Sequence, residues 1–274
     1  MVVRFVLPAE PLRPFVQYYF LLHTRHDQRQ LHRAVKPMPP APQQCLYFYP
    51  RDAMRMFHYG ENRDLLLPRS IVVGPQVSRI DLHFAPDHLV VCAAFWPGGL
   101  HRLLGVPVKE LLDFSVEARA LLGPAVAEVE DRLAETTSYS TMLELLENYL
   151  LRALRRVQRP MRPVDRLLPL LLSAGRASDS LDALAADACL SARQFERHFF
   201  ERVGLAPKLY ARIVRFDQAF RLKEQHPELD WLSVAVRCGY YDYRHLVRDF
   251  KEFAGVTPPV LLAAETAYAA LARP

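Results

Sequence analysis

Two segments near the end of the chain share one pattern. Residues 181–207 read LDALAADACLSARQFERHFFERVGLAP, and residues 232–258 read LSVAVRCGYYDYRHLVRDFKEFAGVTP. Aligned at an offset of 51 residues, they match at six positions, pairing Leu181 with Leu232, Arg197 with Arg248, Phe199 with Phe250, Glu201 with Glu252, Gly204 with Gly255 and Pro207 with Pro258. Repetition in register indicates an internal duplication. The chain therefore contains one structural motif twice.

The first segment has the pattern of a helix-turn-helix. Apolar residues recur at helical spacing until Cys189 interrupts them, and Ser191 then begins a second helix, with Gln194 completing a capping box. Gly204 is predicted to end this helix. Its predicted inward residues are Phe195, His198 and Phe199, and its outward residues are Ala192, Arg193, Glu196 and Arg197.

The second segment repeats the pattern. Cys238-Gly239-Tyr240 is predicted to form the turn, and Asp242 to cap the helix that follows. The predicted inward residues are Leu246 and Phe250, and those on or near the outer face are Tyr243, Arg244, His245, Val247 and Arg248. Two helices joined by a tight turn, with arginines outward on the second, fit the major groove of DNA. The candidate DNA-binding residues are Ala192, Arg193, Glu196, Arg197, Tyr243, Arg244, His245 and Arg248.

For a single copy, an ordinary helical bundle with solvated charges explains the pattern equally well. The duplication favours DNA binding. Two recognition helices joined by a helix from Lys208 to Gln225 could enter successive segments of the major groove about 34 Å apart.

A set of residues in both segments carries a family resemblance. They are Ala185 to Phe199, Gly204, Pro207, Tyr210, Arg215 and Ala219, then Val234-Ala235, Cys238 to Asp242, His245 to Lys251 and Gly255 to Pro258. With them the region resembles the DNA-binding domain of the AraC/XylS family of bacterial transcription regulators. Departures are Cys189 in place of the usual turn glycine, Phe200 in place of a lysine, and Leu261-Leu262 in place of a Tyr-Arg pair. The resemblance implies sequence-specific binding of double-stranded DNA, with RNA polymerase as a possible partner.

Composition indicates a globular protein of two domains. The 274 residues are 51% hydrophobic and 24% charged. The sequence has no long apolar run, and residues Met1 to Phe5 do not begin a signal peptide, so we expect a cytoplasmic protein without membrane contact. Four widely spaced cysteines without a Cys-x-x-Cys pair predict reduced thiols.

Net charge is weak evidence for a nucleic-acid partner. The chain carries +5 overall, but residues 163–262 hold 14 Lys and Arg against 13 Asp and Glu. DNA binding would then depend on particular arginines and on helix N-termini placed at phosphates.

The first part of the chain predicts a β-barrel or sandwich. Apolar and aromatic runs separated by turn residues predict strands at 15–22, 44–49, 55–59, 70–73, 78–84 and 89–95. After Trp96-Pro97-Gly98-Gly99 the apolar spacing becomes helical and predicts two longer amphipathic helices, around 125–133 and 142–154. The basic, proline-containing stretch 155–163 is the predicted linker.

The predicted architecture has two domains. Residues 1–158 form a β-barrel or sandwich-like domain, with strands at about 4–95 and appended helices at about 99–157. Residues 163–262 form an all-α domain of two helix-turn-helix motifs joined by a linker helix, followed by an Ala-rich frayed helix or tail. The N-terminal half resembles, more loosely, the barrel-type sensory domains fused to AraC-type domains. This resemblance implies a small-molecule effector inside the barrel and dimerisation through the adjoining helices.

Aromatic and polar residues on the predicted strands are candidates for the effector site. They are Tyr47, Tyr49, Arg55, Phe57, Tyr59 and Trp96. The alternative interpretation is that these aromatic side chains are barrel core.

No motif for catalysis, a cofactor or a metal stands out. His23, His26 and His32, with His83 and His88, invite a metal interpretation, but they lack a His-x-His pair followed by a carboxylate, so a solvated loop is favoured. The sequence has no Gly-x-Ser-x-Gly, phosphate loop or dinucleotide fingerprint. We therefore predict no catalytic residues, no metal and no cofactor, and a protein that is not an enzyme.

One helix offers a candidate dimer contact. The apolar stripe between 141 and 157 consists of Met142, Leu145, Leu146, Tyr149, Leu150, Ala153 and Leu154, and predicts a homodimer. The alternative is that the sheet of the same chain covers the stripe.

Two functions remain open from the sequence. The first is a signal-responsive regulator that binds DNA through both copies. The second is a degenerate helix-turn-helix protein used for protein interaction, which the near-neutral charge and the Phe200 and Leu261 departures would permit.

Overall fold

The computed structural model describes residues 1–27, 35–157, 161–172 and 180–272, with side chains described as far as residue 268. It contains two β-sheets with appended helices, followed by a helical region. This arrangement confirms the predicted fold class.

Ten strands lie within the described residues. They are β1 Val2–Val6, β2 Val16–Arg25, β3 Val35–Met38, β4 Gln44–Phe48, β5 Arg55–His58, β6 Arg63–Leu66, β7 Ser70–Val73, β8 Ile80–His83, β9 Asp87–Phe95 and β10 Ser115–Glu117. The larger sheet has the order β1-β2-β9-β4-β7-β10, and the smaller sheet has the order β3-β8-β5-β6. All six predicted strands are present. Strand β3 was not predicted, because Pro37 indicated a turn, but an edge strand tolerates proline.

The central strands of the larger sheet separate two apolar layers. On one side, Leu46 and Val91 pack in the core formed with the appended helices. On the other side, Tyr49 and Val90 face the smaller sheet. Because successive side chains of a strand point to opposite faces of the sheet, neighbouring residues pack in different layers.

The appended helices are α1 Gly99–Leu104, α2 Ala118–Leu122, α3 Ala125–Glu135 and α4 Tyr139–Leu154. The apolar stripe of α4 lies in the core of its own chain: Leu146 and Leu150 are fully buried there. Helix α4 packs on β2 and β9 and also on α1 and α3, so the sheet and the neighbouring helices of the same chain together cover this stripe. The stripe therefore no longer supports a homodimer contact.

The C-terminal region is helical. Its helices are α5 Pro163–Leu167, α6 Leu181–Asp187, α7 Ala192–Val203, α8 Pro207–Gln225, α9 Trp231–Arg237, α10 Tyr243–Ala254 and α11 Pro258–Ala272. Pro207 begins α8, the predicted linker helix, and Ile213, Phe216 and Phe220 on its predicted inner face are buried in a core of the C-terminal region. Residues 158–160 of the predicted linker lie outside the described residues.

The last helix is better packed than the predicted frayed helix or tail. Helix α11 runs continuously from Pro258 to Ala272 and packs against β3 of the N-terminal part. Tyr268 near its end is buried against Phe84. An Ala-rich composition alone did not indicate this contact.

The two helix-turn-helix copies are not related by one uniform offset. The first helices begin at Leu181 and Trp231, which are 50 residues apart, whereas α7 and α10 begin 51 residues apart. The predicted pairing of Leu181 with Leu232 is therefore wrong for the first helix. The second turn has one additional residue, so the register changes between the helices.

Candidate nucleic-acid interface and barrel cavity

Helix α7 is fixed at both ends by its own sequence. The amide of Gln194 donates to the Ser191 hydroxyl over 3.3 Å, and the amide of Ser191 donates to the Gln194 side chain over 3.0 Å, which is the predicted capping box. Gly204 ends the helix at φ +81°, a left-handed conformation that favours glycine. Phe195 and Phe199 are fully buried. Of the predicted DNA-binding residues on this helix, Arg193, Glu196 and Arg197 are exposed and Ala192 is half-buried.

Helix α10 has the same construction. Asp242 accepts a hydrogen bond from the amide of His245 over 2.7 Å and so caps its N-terminus. Leu246 and Phe250 are fully buried, as predicted. Of the predicted DNA-binding residues on this helix, Arg244 and Arg248 are exposed, and Tyr243 and His245 are half-buried.

A groove of about 1040 Å³ lies between the two recognition helices. Glu196 of α7, Arg212 of α8 and Arg248 of α10 all contribute to its lining. Of the predicted DNA-binding residues, the groove brings together Glu196, His245 and Arg248. The others, Ala192, Arg193, Arg197, Tyr243 and Arg244, do not line it.

A charged network lies in this groove. Arg212 contacts Asp249 at 2.7 Å and Glu252 at 2.5 Å. The hydrogen bond from Arg212 lowers the pKa of Glu252 and keeps it ionised. Arg215 lies 3.7 Å from Asp249, and its guanidinium stacks on Tyr240 at 4.6 Å. These contacts hold α10 against α8 and place acidic partners on both arginines.

Sequence reasoning did not identify this network. Asp249 is almost fully buried next to Phe250, and it is a charged residue among the buried apolar residues of α10. A carboxylate at an inward position was the available signal, because such a group needs a cation nearby. Its partner, Arg212, lies 37 residues away and is not visible from local spacing.

The end of α7 is joined to the N-terminal part by buried charges. Asp165 of α5 contacts Arg202 of α7 at 2.8 Å and Arg102 of α1 at 3.8 Å, and all three residues are buried. The two arginines carry two positive charges and Asp165 carries one negative charge. Both arginines therefore share one carboxylate as their counter-charge.

Backbone contacts reinforce this junction. The side-chain amide of Gln44 in β4 donates to the carbonyl of Val203 over 3.0 Å. A Cβ atom added to Gly204 would lie 2.9 Å from the carbonyl oxygen of Val108. Glycine at 204 therefore serves both the helix end and the close approach of the N-terminal part.

A second cavity, of about 520 Å³, lies between the two sheets. Its lining is mainly apolar and comprises Met1, Phe20, Leu22, Lys36, Met38, Tyr47, Tyr49, Met54, Met56, Leu67, Ile71, Val73, Gln76, Ile80, Leu82, Phe84, His88, Val90, Ser115, Glu265 and Tyr268. Its volume is within the range of small-molecule sites.

The predicted effector residues separate into two groups. Tyr47 and Tyr49 line this cavity. Arg55, Phe57 and Tyr59 alternate with the buried Met54, Met56 and His58 and do not line this cavity, so the structure does not support them as effector contacts. Trp96 lies after the end of β9, where its indole donates to the carbonyl of Arg13 over 3.0 Å, also outside the cavity. The prediction was based on the aromatic residues Phe57 and Tyr59 of this segment, whereas its methionines, Met54 and Met56, line the cavity.

Helix α11 contributes two side chains to the cavity. Glu265 accepts from the Lys36 ammonium at 2.6 Å. The ring of Tyr268 stacks on Phe84 with 5.0 Å between centroids, and Lys36 lies 5.1 Å from the Tyr268 ring centre. A helix that begins directly after α10 thus forms part of the cavity wall.

His88 is the most enclosed polar side chain of this lining. Its ring is only 2% exposed, and its edge packs on Phe84 with centroids 4.5 Å apart. Burial, together with the nearby His26 and His23, lowers the pKa of His88 to about 3 against an opposing effect of Asp87. Among the described residues, none makes a hydrogen bond to its Nδ1 atom.

The described residues contain no group of three or more His, Cys, Asp or Glu side chains that could hold a metal ion. His32 lies outside the described residues. No described helix combines the length and the apolar character needed to cross a membrane.

Residues 184–264, which include both recognition helices, match the family model of a helix-turn-helix domain. Residues 4–117 match the model of a domain of unknown function. The C-terminal region thus contains a helix-turn-helix domain. Its two copies and the linker helix agree with the arrangement that the resemblance to the AraC/XylS family implied.

No curated protein matches the sequence. Among solved structures, ToxT from Vibrio cholerae O395 is similar at 10% identity, with a TM-score of 0.49, over 90% of this chain and 98% of that chain. The unsaturated fatty acid-bound wild-type ToxT from Vibrio cholerae strain SCE256 is similar at 8% identity, with a TM-score of 0.44, over 89% of this chain and 95% of that chain.

Proposed function

We propose that the protein is a transcription regulator that binds a specific DNA duplex through both recognition helices and responds to a small molecule in the barrel cavity. The observation that supports DNA binding is the pair of capped helices α7 and α10, which expose Arg193 and Arg197 on one copy and Arg244 and Arg248 on the other. One chain supplies both helices, so a single copy is sufficient for one asymmetric site.

The effector part of the proposal depends on the cavity wall. The cavity lies in the N-terminal part, yet Glu265 and Tyr268 belong to the helix that follows α10 directly. A molecule that enters the cavity would contact both parts of the chain. A ligand that contacts both parts can bind one arrangement of them more tightly than another. Such a preference allows the ligand to change the affinity for DNA.

A second function is favoured by the groove network. Arg212 and Arg215 already have acidic partners, which leaves fewer cations for phosphate contacts. A domain with this charge balance could serve as a protein-interaction module without binding DNA.

A gel shift separates these functions. The duplex probe is the DNA upstream of the protein's own gene, and a scrambled duplex of equal length and composition is the control. We expect a shift that the scrambled duplex does not compete away, and that weakens from 50 to 200 mM salt as counterions are released. Equal binding to both duplexes, or no shift at either salt concentration, would favour the interaction module.

The effector response is measured on the same complex. A hydrophobic compound that binds the full-length protein should change the midpoint of the gel shift. A compound that binds the protein without altering this midpoint would contradict the proposed regulation while leaving DNA binding intact.

A further inference from the structure

The first strand carries an exposed apolar stripe. Strand β1 lies at the edge of the larger sheet and pairs with β2 on its inner side. Along β1 and the residue that follows it, Val3, Phe5 and Leu7 alternate with their neighbours and are 45%, 64% and 72% exposed. Alternate residues of a strand point to the same face of the sheet. Large apolar side chains therefore line one face of the sheet directly beside its open edge.

The stripe and the one charge of β1 lie on opposite faces of the sheet. The ring of Phe5 contacts Tyr18 and Phe20 of β2, with 5.5 and 4.9 Å between centroids. Arg4 is turned to the other face, where its guanidinium lies 5.3 Å from the ring centre of Tyr139 in α4. The stripe is thus fixed by its contacts with β2 and contains no charged residue.

The other sheet edges within the described residues have features that oppose pairing with a further strand. Strand β3 packs against α11, and β6 exposes Arg63 and Asp64. Strand β10 has only three residues, and one of them is the exposed Glu117. A covering helix, charged side chains and a short length are common means of preventing an edge from adding a strand. Strand β1 lacks a covering helix and presents an apolar stripe, so it is the edge best suited to pairing.

An identical strand complements this edge. When two copies of one strand pair antiparallel about a two-fold axis, the residue on the axis faces its own copy. With Arg4 on the axis, two positive charges would oppose each other directly and repel. With Phe5 on the axis, Val3 faces Leu7 of the second copy, and Arg4 faces Val6. The Phe5-centred register therefore joins the two apolar stripes and keeps the charges apart.

We propose that β1 is a dimerisation edge, at which two copies of the chain pair antiparallel about an axis through Phe5 and join their larger sheets. Pro8 lacks an amide hydrogen and ends the ladder after Leu7. The paired segment is short compared with the roughly 20–30 residues that each partner contributes to a standard interface, so the dimer forms reversibly. The contact is symmetric and each copy has one such edge, so the assembly closes at two copies. The inference goes beyond the proposed function and requires neither DNA nor an effector.

The mass of the full-length protein in solution tests the dimer. Analytical ultracentrifugation is carried out without DNA at protein concentrations from about 1 to 100 μM, a range suited to a weak interface. We expect the average mass to rise from one chain towards two chains. A parent protein that remains monomeric throughout would overturn the proposal. A mass that rises beyond two chains would also overturn it, because a two-fold contact at one edge cannot extend.

Lysine substitutions locate the contact. Phe5→Lys places two positive charges opposite each other on the axis, and Leu7→Lys places a charge within the joined stripe; each should raise the dimer dissociation constant at least about tenfold. The matched control is Leu66→Lys on the edge strand β6, which is 67% exposed and should dimerise like the parent. Persistence of the parent dimer in both β1 variants would overturn the proposal. If the loss of the Phe5 ring prevents folding, Leu7→Lys decides, since it leaves that ring in place.

A further variant tests the register. In the Phe5-centred register, the carboxylate introduced by Val6→Glu faces Arg4 of the second copy, and symmetry creates two such pairs. Opposite charges across strands are stabilising, so we expect this variant to dimerise about 2- to 30-fold more tightly than the parent. With Arg4 on the axis, residue 6 would instead face Val2, and the same change would weaken the dimer. Weaker dimerisation of Val6→Glu would therefore overturn the proposed register.

Discussion

Cys189 occupies a backbone conformation that most side chains avoid. Its φ is +53° in the turn between α6 and α7, and the corresponding residue of the second turn is Gly239 at φ +74°. The left-handed region costs a residue with a Cβ about 1–2 kcal/mol, whereas glycine adopts it freely. The first turn therefore stores strain that the second turn lacks.

Substitutions at these two turns should have opposite effects. Cys189→Gly relieves the strain but adds freedom to the unfolded chain, so we expect the free energy of unfolding to rise by about 0.5–1 kcal/mol. Gly239→Ala should lower it by about 1 kcal/mol. Urea denaturation under reducing conditions measures both. Destabilisation by Cys189→Gly would mean that the thiol contributes more than the backbone strain costs.

Arg197 tests the specificity of the first recognition helix. It is exposed on the face of α7 opposite Phe195 and Phe199, where an arginine can pair with guanine O6 and N7. Arg197→Ala should cost about 1–3 kcal/mol in binding and relax the preference at one base pair. Binding to a set of single-base operator variants measures this, with Arg132→Ala on α3 as a control for the loss of one exposed positive charge. Equal losses on specific and random DNA would show that Arg197 contacts phosphate.

His88 makes stability depend on pH. Its pKa falls from 6.5, the ordinary value, to about 3 in the folded protein, because burial disfavours the charged imidazole. Below pH 6.5 the unfolded chain binds a proton that the folded chain does not, so stability is lost as the pH falls. The loss from this group between pH 7 and pH 5 is about 2 kcal/mol.

Removal of the imidazole should remove that loss. The free energy of unfolding of His88→Phe, measured by urea denaturation, should fall about 2 kcal/mol less than that of the parent between pH 7 and pH 5. Val90→Ala, a change at another lining residue without a titrating group, should keep the pH dependence of the parent. An identical pH dependence in His88→Phe would place the titrating group elsewhere.

Helix α8 holds the two helix-turn-helix copies together. Phe216 on its inner face is fully buried and contacts Phe250 of α10 edge-on, with 4.6 Å between ring centroids. The same helix contacts α7, α9 and α10. The aromatic contact of Phe216 thus adds to the ion pairs of Arg212 in holding α10 against α8.

Truncation of Phe216 should loosen both copies. Phe216→Ala is expected to lower the free energy of unfolding by about 3–5 kcal/mol, because it removes a buried ring and leaves a cavity. Phe200→Ala provides the matched control, since Phe200 is exposed on α7 and the same change there should cost less than about 0.5 kcal/mol. Calorimetric melting measures both variants. Similar melting temperatures for the two variants would show that this face of α8 is not core.

The elements that sequence patterns predicted best were those with local signals. The capping box at Ser191 and Gln194, the glycine at 204 and the inward pair Phe195 and Phe199 each follow from spacing within one helix. The six predicted strands carried apolar runs bounded by turn residues. Such local sequence patterns can be recognised without knowing which helix or strand packs against the segment.

Most residues that line the cavity could not be predicted from local sequence patterns. Tyr47 and Tyr49 were identified by composition, but Met54, Met56 and His88 become lining residues only when the two sheets face each other. The contribution of Tyr268 requires a contact across 184 residues of sequence, from Phe84 to α11. Contacts of this separation have no signature in the spacing of either segment.

At the scale of the molecule, one carboxylate joins the two halves. Asp165 is buried between Arg202 and Arg102. A buried charge left without its partner is costly, whereas the exposed pair of Arg162 and Glu201 at 2.8 Å is only weakly stabilising because water competes with it.

Neutralising Asp165 should weaken this junction. Asp165→Asn keeps the size of the side chain but leaves two buried arginines without a counter-charge, and we expect a loss of about 3 kcal/mol. Glu201→Gln, the same chemical change at the exposed pair, should cost less than about 1 kcal/mol. Calorimetry should show the unfolding of Asp165→Asn divided into two transitions if the halves melt separately. Equal losses in the two variants would mean that the buried charges do not join the halves.

Helix α11 also covers a part of the molecule that would otherwise invite self-association. It packs against β3, which is an edge strand of the smaller sheet. An uncovered edge strand offers unpaired backbone groups to a neighbouring molecule and is a common origin of aggregation. Pro37 in β3 lacks an amide hydrogen and limits such pairing at one position only. The helix that forms part of the cavity wall therefore also protects this edge of the protein from assembling strand to strand.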